Sequence, residues 1–293
     1  MPLPSDSEVL SEAERTVRSQ GRAALCQVVR TEGSTPGRPG WKLLVRPDGS
    51  RVGNLGGGAF EAMVERDAAA KLEQVAPRAE IKRYYLTEKA VQGEATGMVC
   101  GGMVEVFLEV LTARELLVSC GGGPVGQALA ANAMLCGFDV AVVEDRDEFL
   151  RRELFPPGVE RIAVDREMER DFLAAYAGRE LYVAVVSRCW ETDLAALAAV
   201  ARQQPSGLRY LGLMGSERKV ERLRRELAER GIDIDEHGLI APIGLPIGGE
   251  TPGELAVSIL AQMIERRAAL RRAEAAADES DESERSTARA ADG

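Results

Sequence analysis

Apolar and polar positions in the first part of the chain alternate with a period of two in several short stretches. Alternation of this kind predicts strands, here at residues 23–29, 41–55 (two strands joined at Asp48-Gly49), 81–87 and 103–111. Apolar residues at helical spacing predict two helices, at residues 7–21 and 59–75. Alternation along a strand is typical of a sheet with one face in the core, so we expect a small α+β domain over residues 1–112.

The pattern changes from residue 115 onward. A strand (116–120), a glycine-rich turn, a helix (about 125–136) and a strand (139–144) follow one another, and helices and strands alternate to about residue 215. This order predicts a parallel sheet with helices on both faces. The fold class is therefore α/β, with a Rossmann-like domain at 113–272. Residues 273–293 carry almost no large apolar side chain, which predicts a disordered acidic tail.

Composition excludes several classes of function. The chain has 293 residues and a net charge of −10, which argues against a nucleic-acid partner. No apolar run approaches the roughly 20 residues that cross a bilayer, and the acidic start is unlike a signal peptide, so we expect a cytoplasmic protein without membrane contact. The five cysteines show no CxxC spacing, and His237 is the only histidine, which disfavours zinc, haem and Ser-His-Asp chemistry. A homodimer is our default assembly.

The glycine-rich turn of the second domain has the spacing of a dinucleotide site. Gly121, Gly123 and Gly126 fit G-x-G-x-x-G between a strand and a helix, where bare backbone approaches a pyrophosphate. Glu144 and Asp145 end the next strand, near the position of a ribose-binding acid. Arg146 is an alternative contact, for a 2′-phosphate or another phosphate. A Rossmann-like turn that binds nothing stays open as well.

Two further turns suggest anion sites. Gly56, Gly57 and Gly58 precede a helix and offer amides to a phosphate or pterin oxygen, although a tight turn explains them nearly as well. Ser216 caps a helix whose first turn carries Arg218 and Lys219. Cations there oppose the helix dipole, which calls for an anion nearby, unless both side chains are simply solvated.

Cys100 is the most distinctive thiol. Cys26, Cys120 and Cys136 lie in apolar patterns, where cysteine is a small buried hydrophobe. Cys100 instead follows a loop and precedes Gly101 and Gly102, which leave space for a large group beside the sulfur. A thiolate binds soft metals and transfers sulfur, so we weigh a metal contact at Cys100 against a packed cysteine.

Together these motifs resemble the XdhC/CoxI family of accessory proteins of molybdenum hydroxylases. The resemblance includes Cys-Gly-Gly at 100–102, Gly-Gly-Gly-Pro-Val-Gly at 121–126, and the Pro-Ile-Gly-Leu and Glu-Thr-Pro segments. The similar blocks run in the family's order over nearly the whole chain, at residues 33–49, 55–61, 99–109, 118–130, 138–149, 210–219 and 241–264.

The resemblance implies a maturation factor, or chaperone, for xanthine dehydrogenase and related enzymes. Such a protein binds the molybdenum cofactor (molybdopterin, as mononucleotide or dinucleotide), supports its sulfuration and delivers it to the apo-hydroxylase. It implies Cys100 as the contact to the cofactor and its metal, and a cysteine desulfurase as a further candidate partner. It implies a cofactor carrier more than a catalyst, so we name no catalytic residue.

This chain departs from the family at two places. Ala59 replaces a common cysteine, and Arg188, Cys189 and Trp190 replace a Thr-His-Asp-like segment, so Cys189 is a candidate replacement thiol. The alternative function is an NAD(P)-dependent oxidoreductase, for which Tyr182 or Lys219 would have to donate a proton. A docking partner that holds no small molecule is a third possibility.

Overall fold

A computed structural model describes residues 4–74, 77–86, 101–169 and 171–291. The chain divides into two compact units, one of residues 1–113 with 274–293 and the other of residues 114–273. Among the described helices, none combines the length and the apolar composition needed to cross a membrane.

The first unit contains a five-stranded antiparallel sheet in the order β3-β2-β1-β5-β4. Its strands are β1 (Arg22–Glu32), β2 (Lys42–Val45), β3 (Arg51–Gly53), β4 (Glu80–Tyr85) and β5 (Met103–Thr112). The predicted hairpin joins β2 to β3, and Gly49 (φ 79°) adopts the left-handed conformation that its turn requires. The α+β prediction for this part of the chain is confirmed.

Both faces of this sheet carry a helix, so the expectation of a one-sided sheet was wrong. Helix α2 (Gly58–Leu72) packs Phe60, Val64 and Ala68 against one face. Helix α1 (Asp6–Gln20) packs Val9 and Ala13 against the other. The second face carries Ala23, Leu25, Leu44 and Leu111, so apolar residues follow one another along β1 and β2 instead of occurring only at every second position.

The second unit contains a six-stranded parallel sheet in the order β11-β10-β9-β6-β7-β8. Its strands are β6 (Leu116–Cys120), β7 (Asp139–Glu144), β8 (Glu160–Ala163), β9 (Leu181–Val185), β10 (Leu208–Leu213) and β11 (Leu239–Ile240). The order runs 3-2-1-4-5-6 when these strands are counted along the chain, which is that of a Rossmann fold. The sheet therefore reverses direction of winding between β6 and β9, and the predicted fold class is confirmed.

Helices cover both faces of the parallel sheet. Helices α3 (Pro124–Leu135) and α6 (Pro252–Ala291) lie on one face, and α4 (Trp190–Gln203) and α5 (Glu217–Glu229) on the other. The strands read as continuous apolar runs because both of their faces are buried.

Helix α6 begins at the predicted capping box. The Thr251 amide donates to the Glu254 carboxylate (2.9 Å), and the Glu254 amide donates to the Thr251 hydroxyl (3.3 Å). The helix runs on to Ala291 and so includes most of the segment for which the composition predicts disorder. Residues 273–291 are rich in alanine and glutamate, which are strong helix formers, and this propensity accounts for the difference.

Candidate functional site

Three glycines of the turn after β6 have different structural roles. A Cβ at Gly126 would lie 1.9 Å from the carbonyl oxygen of Gly121, and one at Gly121 (φ 132°) would lie 2.7 Å from that of Val186. Both positions therefore require glycine for close backbone contact. Gly123 differs, because no atom of the described residues lies within 4 Å of a Cβ built there. Gly123 is also the N-cap of α3, which no described side chain caps, so the helix end is open.

Glu144 lies against this turn. Its carboxylate accepts a hydrogen bond from the Gly122 amide (2.8 Å) and from the Arg146 guanidinium (2.9 and 3.2 Å). The Glu144 side chain is only 3% exposed. An acid predicted to bind a ribose thus binds the protein's own glycine turn, and Arg146 neutralises it.

Asp145 pairs with an arginine from another strand. Arg188, just after β9, donates two hydrogen bonds to the Asp145 carboxylate, at 2.6 and 2.9 Å. This bidentate pair holds the pKa of Asp145 well below its usual range and raises that of Arg188. The same guanidinium lies 3.6 Å from Glu144. Glu144, Asp145, Arg146 and Arg188 together form what we call the turn cluster, two carboxylates and two guanidiniums beside the glycine turn.

Lys219, the cation at the start of α5 for which an anion was expected, has an anionic partner within the protein. Ser216 caps α5, as expected, and accepts from the Lys219 amide. The Lys219 ammonium forms an ion pair with Asp193, which is fully buried in α4. Burial raises the pKa of Asp193, while Lys219 and the Ser187 hydroxyl lower it. The structure thus assigns Lys219 an internal partner.

Asp193 also organises the residues that follow β9. The Ser187 hydroxyl donates to Asp193 (2.5 Å) and lies 2.6 Å from the Thr192 hydroxyl, which is 3.3 Å from the Cys189 sulfur. Cys189 is half-buried at the N-cap of α4. The candidate replacement thiol therefore lies at the carboxyl edge of the parallel sheet.

The glycine turn of the first unit is likewise occupied by a carboxylate of the chain. Glu61, in the first turn of α2 and 6% exposed, accepts from the amides of Leu55 (2.8 Å) and Gly57 (3.1 Å). The Gly56 amide donates to the Asn54 side chain (2.5 Å), and Gly56, Gly57 and Gly58 all have positive φ. A tight turn accounts for these glycines.

The expected Cys100 contact lies outside the described residues, but the two glycines that follow lie within them. A Cβ at Gly102 would lie 2.3 Å from the Ser34 carbonyl oxygen, so this glycine allows two backbone segments to meet. Gly101 (φ 69°) has no described atom within 4 Å of a built Cβ. Only Gly101 therefore has the open space that was expected of both.

The other cysteines and the proposed proton donor lie mostly in the core. Cys26 and Cys120 are fully buried, and burial raises the pKa of each thiol to about 12. Tyr182 is 1% exposed between the rings of Phe138 and Tyr210. A proton donor must reach substrate, so the position of Tyr182 is unsuited to catalysis. The part of the chain that the structure describes holds no group of three or more metal-ligating His, Cys, Asp or Glu side chains.

Family models match both units. The model of the XdhC and CoxI family matches residues 16–85, and that of the XdhC Rossmann domain matches residues 117–263. The chain belongs to the XdhC and CoxI family. The family resemblance inferred from the sequence is thereby confirmed. The turn cluster and the Ser187–Asp193 network both lie within the part that matches the XdhC Rossmann domain.

Two curated relatives of this family member are longer than the chain itself. The uncharacterized protein YqeB of Escherichia coli (strain K12) is 35% identical over 88% of this chain and 46% of YqeB. A probable subunit of xanthine dehydrogenase from Bacillus subtilis (strain 168) is 29% identical over 55% of this chain and 46% of that protein. The chain thus spans about half the length of these curated relatives. A solved xanthine dehydrogenase structure from Bacillus halodurans aligns with a TM-score of 0.46 and 21% identity, over 89% of this chain and 96% of that one.

Sequence reasoning missed three side chains that hold the turns of this XdhC member. Glu61 carried a usable signal, because an acid in the first turn after a glycine run is placed to accept its amides. Arg188 and Asp193 carried none, since each takes its partner from an element distant in the chain.

Proposed function

We propose that this protein is a maturation factor for a molybdenum hydroxylase of the xanthine dehydrogenase type. It binds the molybdenum cofactor as cargo, supports the sulfuration of that cofactor, and delivers it to the apo-hydroxylase. The observation that carries the proposal is the match of both units, in order along one chain, to the XdhC and CoxI family and the XdhC Rossmann domain. The name of the Bacillus subtilis relative adds the association with xanthine dehydrogenase.

The second unit has groups that suit the phosphate end of this cargo. The amino end of α3 is open at Gly123, and amides at a helix N-terminus bind phosphate oxygens. Arg188 presents a guanidinium beside the same turn, with its side chain 34% exposed. These groups would hold a phosphate or pyrophosphate of the cofactor, in its mononucleotide or dinucleotide form.

The molybdenum end of the cargo needs a soft ligand. Cys100 is our proposed contact, on the strength of the family's Cys-Gly-Gly motif. Of the described thiols, Cys189 and Cys136 are half-buried, whereas Cys26 and Cys120 are fully buried. A cysteine desulfurase is the proposed sulfur source, and a homodimer the proposed assembly.

The test is retention of cargo. The tagged protein is purified from cells that make the molybdenum cofactor, and its molybdenum and pterin are measured for wild type, Cys100→Ala and Cys136→Ala. We expect wild type and Cys136→Ala to retain both in equal amounts, and Cys100→Ala to retain much less. Cys136→Ala is the matched control because its thiol lies at the far end of α3 from the glycine turn.

Delivery is measured separately. The loaded protein is mixed with an apo molybdenum hydroxylase, and the molybdenum content and activity of the hydroxylase are followed over time. A gain in both supports delivery. Failure of the wild-type protein to retain molybdenum or pterin above a tag-only control, together with no gain in hydroxylase activity, would refute the proposed function.

A further inference from the structure

We infer that Asp145 is an internal competitor for the anion site of the second unit, and that Arg188 is the residue that selects a pyrophosphate-bearing ligand. Asp145 holds the guanidinium in the absence of ligand, and the ligand's phosphate takes its place on Arg188. The inference rests on the proposed function only in taking a phosphate of the cargo as the natural anion.

The first observation is the position of the pair in the sheet. Asp145 follows β7, Arg188 follows β9, and β6, which leads into the glycine turn, lies between these two strands. The pair therefore spans the carboxyl end of β6. Ligands of Rossmann folds bind at the point where the strand order reverses, which here is between β6 and β9. Arg188 lies at the β9 side of that point.

The second observation is how close the guanidinium is to the turn. Arg188 lies 3.6 Å from one carboxylate oxygen of Glu144, and the other oxygen of that carboxylate accepts from the Gly122 amide. One carboxyl group thus separates Arg188 from the backbone amides of the turn. We therefore infer that a phosphate at the open end of α3 contacts the same side chain.

The third observation is the match in chemistry. The Asp145 carboxylate makes two parallel hydrogen bonds with Arg188, and a phosphate makes the same bidentate contact with a guanidinium. The Asp145 carboxylate and the phosphate therefore compete for the same guanidinium. The turn cluster is neutral, with two carboxylates and two guanidiniums, so a phosphate that displaces Asp145 leaves an additional negative charge beside it. Removing the Asp145 charge then favours the ligand.

This inference and the ribose-binding role expected for Asp145 predict opposite results. A carboxylate that binds a ribose contributes affinity, so its loss weakens binding. A carboxylate that competes for Arg188 reduces affinity, so its loss strengthens binding. The direction in which ligand affinity changes when the Asp145 carboxylate is removed therefore distinguishes the two roles.

The experiment is titration calorimetry of the full chain with inorganic pyrophosphate and with ADP. The variants are Asp145→Asn, Asp145→Ala, Arg188→Gln and the double variant Asp145→Asn with Arg188→Gln. Asp235→Asn is the matched control, because it neutralises another ion pair of this unit, that with Arg224 (3.0 Å). Circular dichroism spectra and melting curves confirm that each variant is folded.

We expect Asp145→Asn and Asp145→Ala to bind pyrophosphate about two- to fivefold more tightly than wild type, the range of a partly exposed ion pair. Arg188→Gln weakens binding, and Asp145→Asn strengthens binding less in the Arg188→Gln background than in wild type, since only charge repulsion, and no competition for Arg188, remains to be removed. Asp235→Asn binds like wild type. Weaker or unchanged binding by both Asp145 variants overturns the inference, and so does an absence of pyrophosphate binding by wild type and Asp145→Asn.

Its failure is distinct from that of the proposed function. A protein that retains molybdenum, yet whose pyrophosphate affinity is unaffected by Asp145→Asn, loses only this inference. A protein that shows the predicted affinity changes and retains no molybdenum loses only the proposed function.

Discussion

Lys219→Met tests whether the ammonium of α5 stabilises a buried carboxylate rather than a ligand. Asp193 is fully buried, and without Lys219 it keeps the Ser187 hydroxyl as a donor. Removing one partner of a buried pair costs about 3–5 kcal/mol, and because Lys219 is partly exposed we expect the lower end, about 3 kcal/mol. For a unit of this size the melting temperature then falls by about 6–12 °C.

The effect depends on pH with a definite sign. Burial already raises the pKa of Asp193, and loss of the ammonium raises it further. Because the folded state then binds the proton more tightly than the unfolded state, protonation favours folding. The stability deficit of Lys219→Met therefore shrinks as the pH falls below the raised pKa of Asp193, and it is smallest near the ordinary pKa of an aspartate, about 4.

The assay is urea unfolding followed by tryptophan fluorescence. Trp190 begins α4, three residues before Asp193, and the second tryptophan, Trp41, is replaced by phenylalanine so that the signal reports one unit. The double variant Lys219→Met with Asp193→Asn is the control, and we expect it to recover much of the loss because no unpaired charge remains. A single variant within about 1 kcal/mol of wild type would refute the reasoning, and so would a double variant less stable than the single one.

Three further changes give measurable outcomes. Gly126→Ala places a Cβ 1.9 Å from a backbone carbonyl and should destabilise the second unit by about 1–3 kcal/mol in urea unfolding, whereas Gly123→Ala, with open space around it, should be near neutral. Glu61→Gln removes a buried carboxylate that accepts two amides and should cost about 1–3 kcal/mol, measured in the same way on the Trp41 signal. The pKa of Asp145 is lowered in the folded state, so its contribution to stability is present above about pH 4 and is lost at lower pH; Arg188→Gln should flatten the acid limb of the melting temperature against pH.

The fold was largely predictable because each unit has one dominant pattern of apolar positions along its strands. Strands of the second unit are apolar on both faces and alternate with helices, which leaves a parallel sheet as the simplest arrangement. Caps were also predictable, since Thr251 with Glu254 and Ser216 act within one turn. The covered second face of the first sheet was not predicted, although neighbouring apolar residues such as Leu43 and Leu44 point to opposite faces of β2 and so indicate burial on both.

The candidate site was predictable in its residues and not in their partners. The spacing of Gly121 and Gly126 follows from local backbone geometry, which a sequence encodes directly. The partner of Lys219 is 26 positions away and that of Arg188 is 43 positions away, and only the strand order brings them together. A helix-end cation therefore indicated that an anion was required, and left open whether the protein or a ligand supplied it.

Glu61 has a consequence for how a carrier works. Its carboxylate accepts hydrogen bonds from two amides of the first glycine turn and is part of the chain itself. The turn therefore keeps its conformation with or without a bound ligand. If a ligand had to accept these two hydrogen bonds, the amides would lose their acceptor each time the ligand dissociated. For the proposed carrier, release and rebinding of the cofactor would then require no refolding of this turn.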